Sequence, residues 1–336
     1  MPDLLSPLSL HGLTLRNRIV MPPMCSGLAT PDGLVTPTIV EYHRRRAAAG
    51  CGLVIVEHSF VHPLGRASAG QMGVHSDAAI EGLARLASAI AGEGAIACLQ
   101  LAHAGSQTSR QVTGARPLAP SAVCFPGAPD GDVPEEIPAA MLPGIVRAFG
   151  DAAVRAEAAG FEAVEIHSAH GYLLSQFLSP LTNRRADQYG GSIENRGRLH
   201  LEILREVRSR LAAATAVFVR LGARDEMPGG LELDDACWTA ARLAAAGADL
   251  IDVSGGLQGS RGAGKGPGYF VDDARAVKAA VPVPVLVTGG LGDPDLADRV
   301  VRGGVADLVG VGRAMLNDPD WAGKAIAHLS AARRRG

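Results

Sequence analysis

The chain has 336 residues, a formal charge of −2, 47% hydrophobic residues and only 4% aromatics. That length fits one large α/β domain or two ordinary ones, with a core built mainly from Ala, Leu, Val and Ile. The charge leaves no electrostatic footprint for nucleic acid, and no run of about eighteen apolar residues offers a membrane span.

The N-terminal segment MPDLLSPLSL lacks a basic stretch followed by an apolar core, so no signal peptide is read there and a cytoplasmic location is expected. Leu8–Arg18 reads as a small hairpin. Ile19–Met24 is the first strand, and Pro22, Pro23, Met24 and Cys25 follow at its end. The run Arg44-Arg45-Arg46 lies in a helical pattern and reads as a solvated face; Arg333-Arg334-Arg335 reads as a frayed end. The cysteines Cys25, Cys51, Cys98, Cys124 and Cys237 contain no CxxC pair, against a disulfide framework, a zinc site or an iron–sulfur cluster.

From here the chain repeats one junction: an Ala-rich helix, a Gly, then a short apolar run that ends in polar residues. Ala48-Ala49-Gly50 precedes CGLVIVEHS, and Ala158-Ala159-Gly160 precedes FEAVEIHSAH. Ala245-Ala246-Gly247 precedes ADLIDVSGG, and Gly303-Gly304 precedes VADLVGVGR. Glycine at a helix C-terminus takes the left-handed conformation cheaply and turns the chain into the next strand. Runs that are apolar throughout suit strands buried on both faces. Ala95–Leu101, Val217–Leu221 and Val285–Val287 complete a series of eight strands alternating with helices. One such helix spans Ser192–Leu211, with Ser192 as its expected cap. Eight parallel βα units over this length predict a closed α/β (β/α)8 TIM barrel, one domain over residues 1–336. The hairpin would seal its bottom, and the long Pro/Gly-rich excursion after the third strand, Ser106–Pro138, is expected to form a lid.

In such a barrel the strand C-termini converge on one mouth. Here they carry Cys25, Glu57-His58-Ser59, Gln100 with His103, and His167 with His170. Arg220, Ser254, Thr288-Gly289-Gly290 and Gly312-Arg313 complete the ring, which points to an active site on this face. The glycines after strands seven and eight, with Arg313, form a candidate phosphate site or are only tight turns. Arg220 lies in an apolar strand, where a guanidinium needs an anion; a reduced flavin or an internal carboxylate would serve. His167 and His170 can together grip one oxygen, with Tyr172 beside them as a proton source. A metal pair or structural histidines are the alternatives.

These motifs resemble the Old Yellow Enzyme family of FMN-dependent ene-reductases, in particular its shorter, thermophilic-like bacterial branch. The resemblance runs almost end to end: LRNRIVMPPMC, GLVIVE, QLAHAG, GFEAVEIHSAHGYLLSQFLSPLTNRRADQYGGSIENR, VFVRL and VGVGRAML. It implies that Pro22, Pro23, Met24 and Cys25 line a non-covalent FMN, with the Cys25 thiol tuning it. Ser59 and Gln100 would contact the isoalloxazine edge, Arg220 the N1–O2 side, and Gly290, Gly312 and Arg313 the phosphate. His167 and His170 would bind a substrate carbonyl and Tyr172 would donate the proton. NRR and GGSIENR would fix the loop after strand four.

The implied reaction is ping-pong. NADPH or NADH reduces FMN, which then passes hydride to the β-carbon of an activated alkene such as an enone, maleimide or nitroalkene. A homodimer or homotetramer is implied as well. Three departures stand out: Gly27 where the branch has an aromatic substrate wall, Ser106 where it has an Arg, and an end soon after His328 without the branch's tail. The competing readings are another FMN barrel oxidoreductase, a flavin desaturase running the chemistry backwards, and a flavin- or ligand-binding barrel without turnover.

Overall fold

The computed structural model describes residues 2–126, 133–260 and 266–334. Eight parallel strands form a closed barrel: β1 Ile19–Met21, β2 Leu53–Phe60, β3 Ile96–Ala102, β4 Ala163–Ser168, β5 Ala216–Gly222, β6 Leu250–Ser254, β7 Val285–Thr288 and β8 Leu308–Gly310. Each pairs with its sequence neighbours, and β8 closes on β1 through Val309↔Ile19 and Gly310↔Val20. Eight helices alternate with them: α1 Pro37–Ala48, α2 Ile80–Ala91, α3 Leu142–Ala158, α4 Arg198–Arg210, α5 Leu233–Ala245, α6 Val271–Ala280, α7 Pro294–Arg302 and α8 Trp321–Arg333. Four of the turns into strands use the expected glycines at positive φ: Gly50 (114°), Gly160 (87°), Gly247 (105°) and Gly304 (65°).

Strand alternation separates two cores. Val54, Val56, Val164, Ile166, Val217 and Val219 face the helices. Val20, Leu53, Ile55, Cys98, Ala163, Phe218, Leu250, Leu286 and Leu308 fill the barrel interior, and Leu10 and Leu15 join them from below. Those two leucines belong to the hairpin Leu8–Leu10/Leu13–Leu15, turned by His11 (φ 46°) and Gly12 (φ 77°). A two-residue turn with both φ positive matches the twist of its strands, so the hairpin caps the barrel floor as expected.

Local expectations shift in three places. The first strand stops at Met21, because Pro22 and Pro23 have no N–H for the ladder. The helix expected over Ser192–Leu211 breaks at Gly197 into a single turn, Ile193–Arg196, and α4; the Ser192 side chain makes no capping bond. Arg46 does not join a solvated face. It is buried against the Tyr42 ring, 3.7 Å from the centroid, and donates to the Met315 carbonyl at 3.1 Å.

Residues 127–132 of the excursion expected as a lid lie outside the described residues. The rest holds a short helix, Arg110–Thr113, and a parallel pairing of Leu118–Ala119 with Glu135–Glu136. Arg185 ties this excursion to the loop after β4, donating from Nη1 to the carbonyls of Pro120 (3.0 Å) and Ile137 (2.7 Å). Asn183 Nδ2 donates to the Phe177 and Tyr189 carbonyls, 2.7 Å each, and Arg196 to that of Leu178, also at 2.7 Å. The NRR and GGSIENR segments thus lock that loop through backbone acceptors. Phe125 reaches over it, where a Cβ at Gly171 would lie 2.6 Å from the ring. Arg335 also lies outside the described residues.

Candidate active site

A cavity of about 410 Å³ opens at the strand C-termini. Pro23, Met24 and Cys25 line it from the end of β1, His58 from β2, and His167, His170 and Tyr172 from β4 and its loop. Arg220 lines its base, and Ser260, Tyr269, Thr288, Gly289, Gly290, Gly312, Arg313 and Leu316 complete it. Ten of the sequence-predicted residues therefore meet in one space. Pro22, Ser59, Gln100 and Gly27 stand outside this lining. Ser59 is fully buried with its hydroxyl donating to the Glu57 carbonyl at 3.1 Å, and Gly27 sits at φ 70° with open space around it.

The loop after β4 gathers the polar cluster. His170 at φ 59° and Gly171 at 71° turn the chain sharply, held by the His170 N–H on the Gly255 carbonyl (3.0 Å) and the Leu173 N–H on that of His103 (2.9 Å). His170 Nε2 is 2.7 Å from Ser254 Oγ. His167 is buried, its ring centroid 5.1 Å from that of His170, and its Nδ1 finds no partner in the protein. An unpaired buried polar atom is costly, so this nitrogen is available to a ligand. Burial holds both imidazoles well below their ordinary pKa, and the nearby Arg220 charge adds to the effect. They are neutral at pH 7. Burial pushes the Tyr172 phenol up, so its proton is retained. Burial and the Glu57 carboxylate raise Cys25, which is therefore a thiol rather than a thiolate.

Beneath the mouth lies a second polar layer, buried inside the barrel. Gln100 Nε2 donates to Glu165 Oε2 at 2.6 Å. Arg220 Nε lies 3.0 Å from Asp252 Oδ2 without hydrogen-bond alignment, and its Nη2 is 3.5 Å from Ser254 Oγ. Arg220 therefore has the internal carboxylate Asp252 beside it and also lines the cavity. Burial raises both Glu165 and Asp252, and the Asp252 charge raises Glu165 further.

Three features of the wall were not assigned roles from sequence. Tyr269, from the segment after β6, lies over Gly289 and Gly290 and receives a bond from Arg313 Nη2 at 3.3 Å. Glu57 anchors the Cys25 loop, accepting from the Ser26 N–H and, at 2.7 Å, from its hydroxyl. His58 belongs on the outer face by alternation, since Val54 and Val56 face the helices. The β2–β3 register slips between Val56 and Ser59, and that bulge re-aims His58 into the cavity, as bulges beside active sites do.

A family model, NADH:flavin oxidoreductase / NADH oxidase, matches residues 3–331. The chain belongs to this family. It is 38% identical to an NADPH dehydrogenase of Bacillus subtilis, covering 97% of this chain and 95% of that one. It is 39% identical to an NADH oxidase of Thermoanaerobacter brockii, where 96% of this chain spans only 50% of the relative. The solved old yellow enzyme homologue of Zymomonas mobilis superposes with a TM-score of 0.84 at 28% identity, over 95% of this chain and 91% of that one. The chain is an NAD(P)H-dependent flavin oxidoreductase of Old Yellow Enzyme type, with FMN as its cofactor.

The residues present fit that group. Gly289 (φ 158°) and Gly290 (φ 66°) expose bare backbone, and a Cβ at either would come within 3.0 Å of the Tyr269 ring. The side chain of Arg313 stands beside them, so a phosphate can approach the backbone and meet a cation. The helix it opens, Arg313–Asn317, has five residues, so little dipole supports it. Thr288 Oγ1 and Arg220 Nε lack aligned protein partners, so buried polar capacity remains for a flavin.

Proposed function

We propose that this protein reduces the activated C=C bond of an enone or related alkene at the expense of NAD(P)H. The unpartnered Nδ1 of buried His167, facing a cavity that also holds His170 and the retained proton of Tyr172, carries this reading. Bound FMN supplies the hydride chemistry, accepting from the nicotinamide and delivering to the alkene. The imidazoles, neutral and fixed by the strand-end loop, hold the substrate oxygen and stabilise the negative charge that grows there. Tyr172 Oη gives its proton to the α-carbon. Arg220 places a cation under the cavity, where a reduced flavin would be anionic. Gly290, Gly312 and Arg313 hold the phosphate, so FMN is bound without a covalent link and denaturation releases it.

Rapid mixing tests this by separating the two half-reactions. Tyr172→Phe should slow the alkene half-reaction by about a hundredfold and leave flavin reduction by nicotinamide nearly intact. His167→Ala should slow enone reduction by an amount near 3 kcal/mol, roughly that of a lost oxyanion donor. Equal slowing of both half-reactions by Tyr172→Phe would reduce Tyr172 to a wall of the pocket.

A further inference from the structure

His58 is half-buried, at the bulge in β2, and two neighbours fix its protonation pattern. The first is Gln71, itself buried. The Ala67 backbone N–H donates to Gln71 Oε1 at 2.6 Å. A backbone N–H accepts nothing, so the amide cannot be flipped and Oε1 must face it. Gln71 Nε2 then spends its two protons on His58, one on Nδ1 at 2.7 Å and one on the carbonyl at 3.1 Å. His58 Nδ1 is therefore an acceptor, and in a neutral ring the proton sits on Nε2. The ring is neutral at working pH because burial lowers it to about 4. His58 Nε2 lies 3.3 Å from Tyr172 Oη. With Nε2 protonated, the imidazole donates to the phenol oxygen, so the phenol's own proton is not spent on His58.

We propose that Gln71 and His58 are positioning residues that orient Tyr172 as a proton donor: the chain Ala67 N–H, Gln71 amide, His58 Nε2–H, Tyr172 Oη directs the phenolic proton into the cavity. The proposal rests on the reading of Tyr172 as the group that protonates the alkene carbon. When that proton leaves Oη for the α-carbon, the electron pair left on the phenolate is held by the His58 Nε2–H. A proton from water restores the phenol. A histidine with the opposite tautomer would draw the phenolic proton onto Nε2 and away from the substrate.

The tautomer is measurable on the FMN-loaded protein by nitrogen-15 NMR of its ten histidines, with the His58 signals assigned by their loss in His58→Gln. The expected pattern is a protonated Nε2 and a bare Nδ1; a protonated Nδ1 overturns the proposal outright. Gln71→Glu supplies the counter-test. One carboxylate oxygen still accepts from Ala67 while the other accepts from Nδ1–H, so the tautomer should reverse. The alkene half-reaction should then slow about tenfold, the scale of one lost hydrogen bond, with substrate KM little changed. Gln71→Met, which removes the donor without offering an acceptor, should fall between Gln71→Glu and the unmodified protein. A reversed tautomer with an unchanged alkene rate overturns the relay while Tyr172→Phe still slows that step. If Tyr172→Phe itself has no effect, the reading of Tyr172 fails, and the relay with it, although the tautomer stays as measured.

Discussion

Arg220→Met removes the cation that, among the described residues, pairs with Asp252 in the barrel interior, where Asp252 is wholly inaccessible and Arg220 is 3% exposed. A carboxylate left alone there takes up a proton instead. From an ordinary value of 3.8, holding it neutral at pH 7 spans 3.2 pH units, so the ceiling on its contribution is about 4.4 kcal/mol at 1.36 kcal/mol per unit. Burial already raises Asp252 to about 6 in the unmodified protein, so about one of those units remains to be lost and the observed loss at pH 7 should be about 1–1.5 kcal/mol. At pH 5, below that value, the carboxyl is already protonated and the loss should be close to zero. Urea unfolding of the FMN-free protein at both pH values reads this directly, and adding Asp252→Asn should recover most of the loss. FMN affinity, followed by quenching of flavin fluorescence, should fall in the single variant because Arg220 also faces the cavity. A stability loss equal at pH 7 and pH 5, or no recovery in the double variant, would refute the argument from an orphaned carboxylate.

Gly290→Ala should weaken FMN binding by tenfold or more, since φ 66° is strained for alanine by about 1–2 kcal/mol and its Cβ would sit 3.0 Å from the Gly268 nitrogen and the Tyr269 ring; an unchanged Kd would place the phosphate elsewhere. Gly27→Ala and Gly27→Tyr should each destabilise by about 1 kcal/mol, because both meet only the strain of φ 70° in open space. A much larger loss for Tyr, seen in thermal melts, would mean the ring strikes a wall. Acid should unfold the protein early. Burial lowers His43, His58 and His200 to about 4 and His103 to about 3, so stability complete above about pH 6.5 is lost as pH falls toward 4, at about 3 kcal/mol per histidine. The raised Glu165 and Asp252 act in the opposite sense but are outnumbered; a urea midpoint that rises between pH 7 and pH 5 would contradict this.

The barrel was legible because its repeating signal is local. Each Gly junction needs only its own backbone conformation, and Gly50, Gly160, Gly247 and Gly304 all take it. The His167–Tyr172 cluster was legible for a related reason: polar residues directly after an apolar strand have nowhere to go but the mouth. What escaped depended on registers and neighbours distant in sequence. His58 turns inward through a slip between β2 and β3 that strict alternation does not contain. Tyr269 reaches Gly289, Gly290 and Arg313 from the segment after β6, and nothing in its own sequence marks that reach. Arg46 looked exposed among three arginines, yet the Tyr42 ring and the Met315 carbonyl, supplied by another part of the chain, make its burial tolerable. Ser192 had the composition of a cap, but Gly197 interrupts the helix it was to start.

The interior of the barrel grades from apolar to ionisable in the direction of the mouth, and the gradation bears on the chemistry. At the floor, Leu10, Leu15, Phe218 and Leu250 exclude water. One layer up, a single guanidinium, Arg220, meets two carboxyl groups, Glu165 and Asp252, in a space too dry to hold both as anions. Burial pushes both upward, and the Asp252 charge raises Glu165 further. Asp252 has Arg220 within 3.0 Å to offset it, whereas Glu165 feels the Arg220 charge without an ion-pair contact and is bonded by the neutral Gln100 amide. Glu165 is thus the carboxyl that stays protonated, and the layer approaches neutrality instead of carrying a net negative charge. This matters for the layer above: an anionic carboxyl pair under the cavity would repel a reduced flavin and raise the barrier to forming it. With Glu165 neutral, the Arg220 guanidinium, which lines the cavity and has Nη2 3.5 Å from Ser254 Oγ, would keep its positive charge available to a bound flavin.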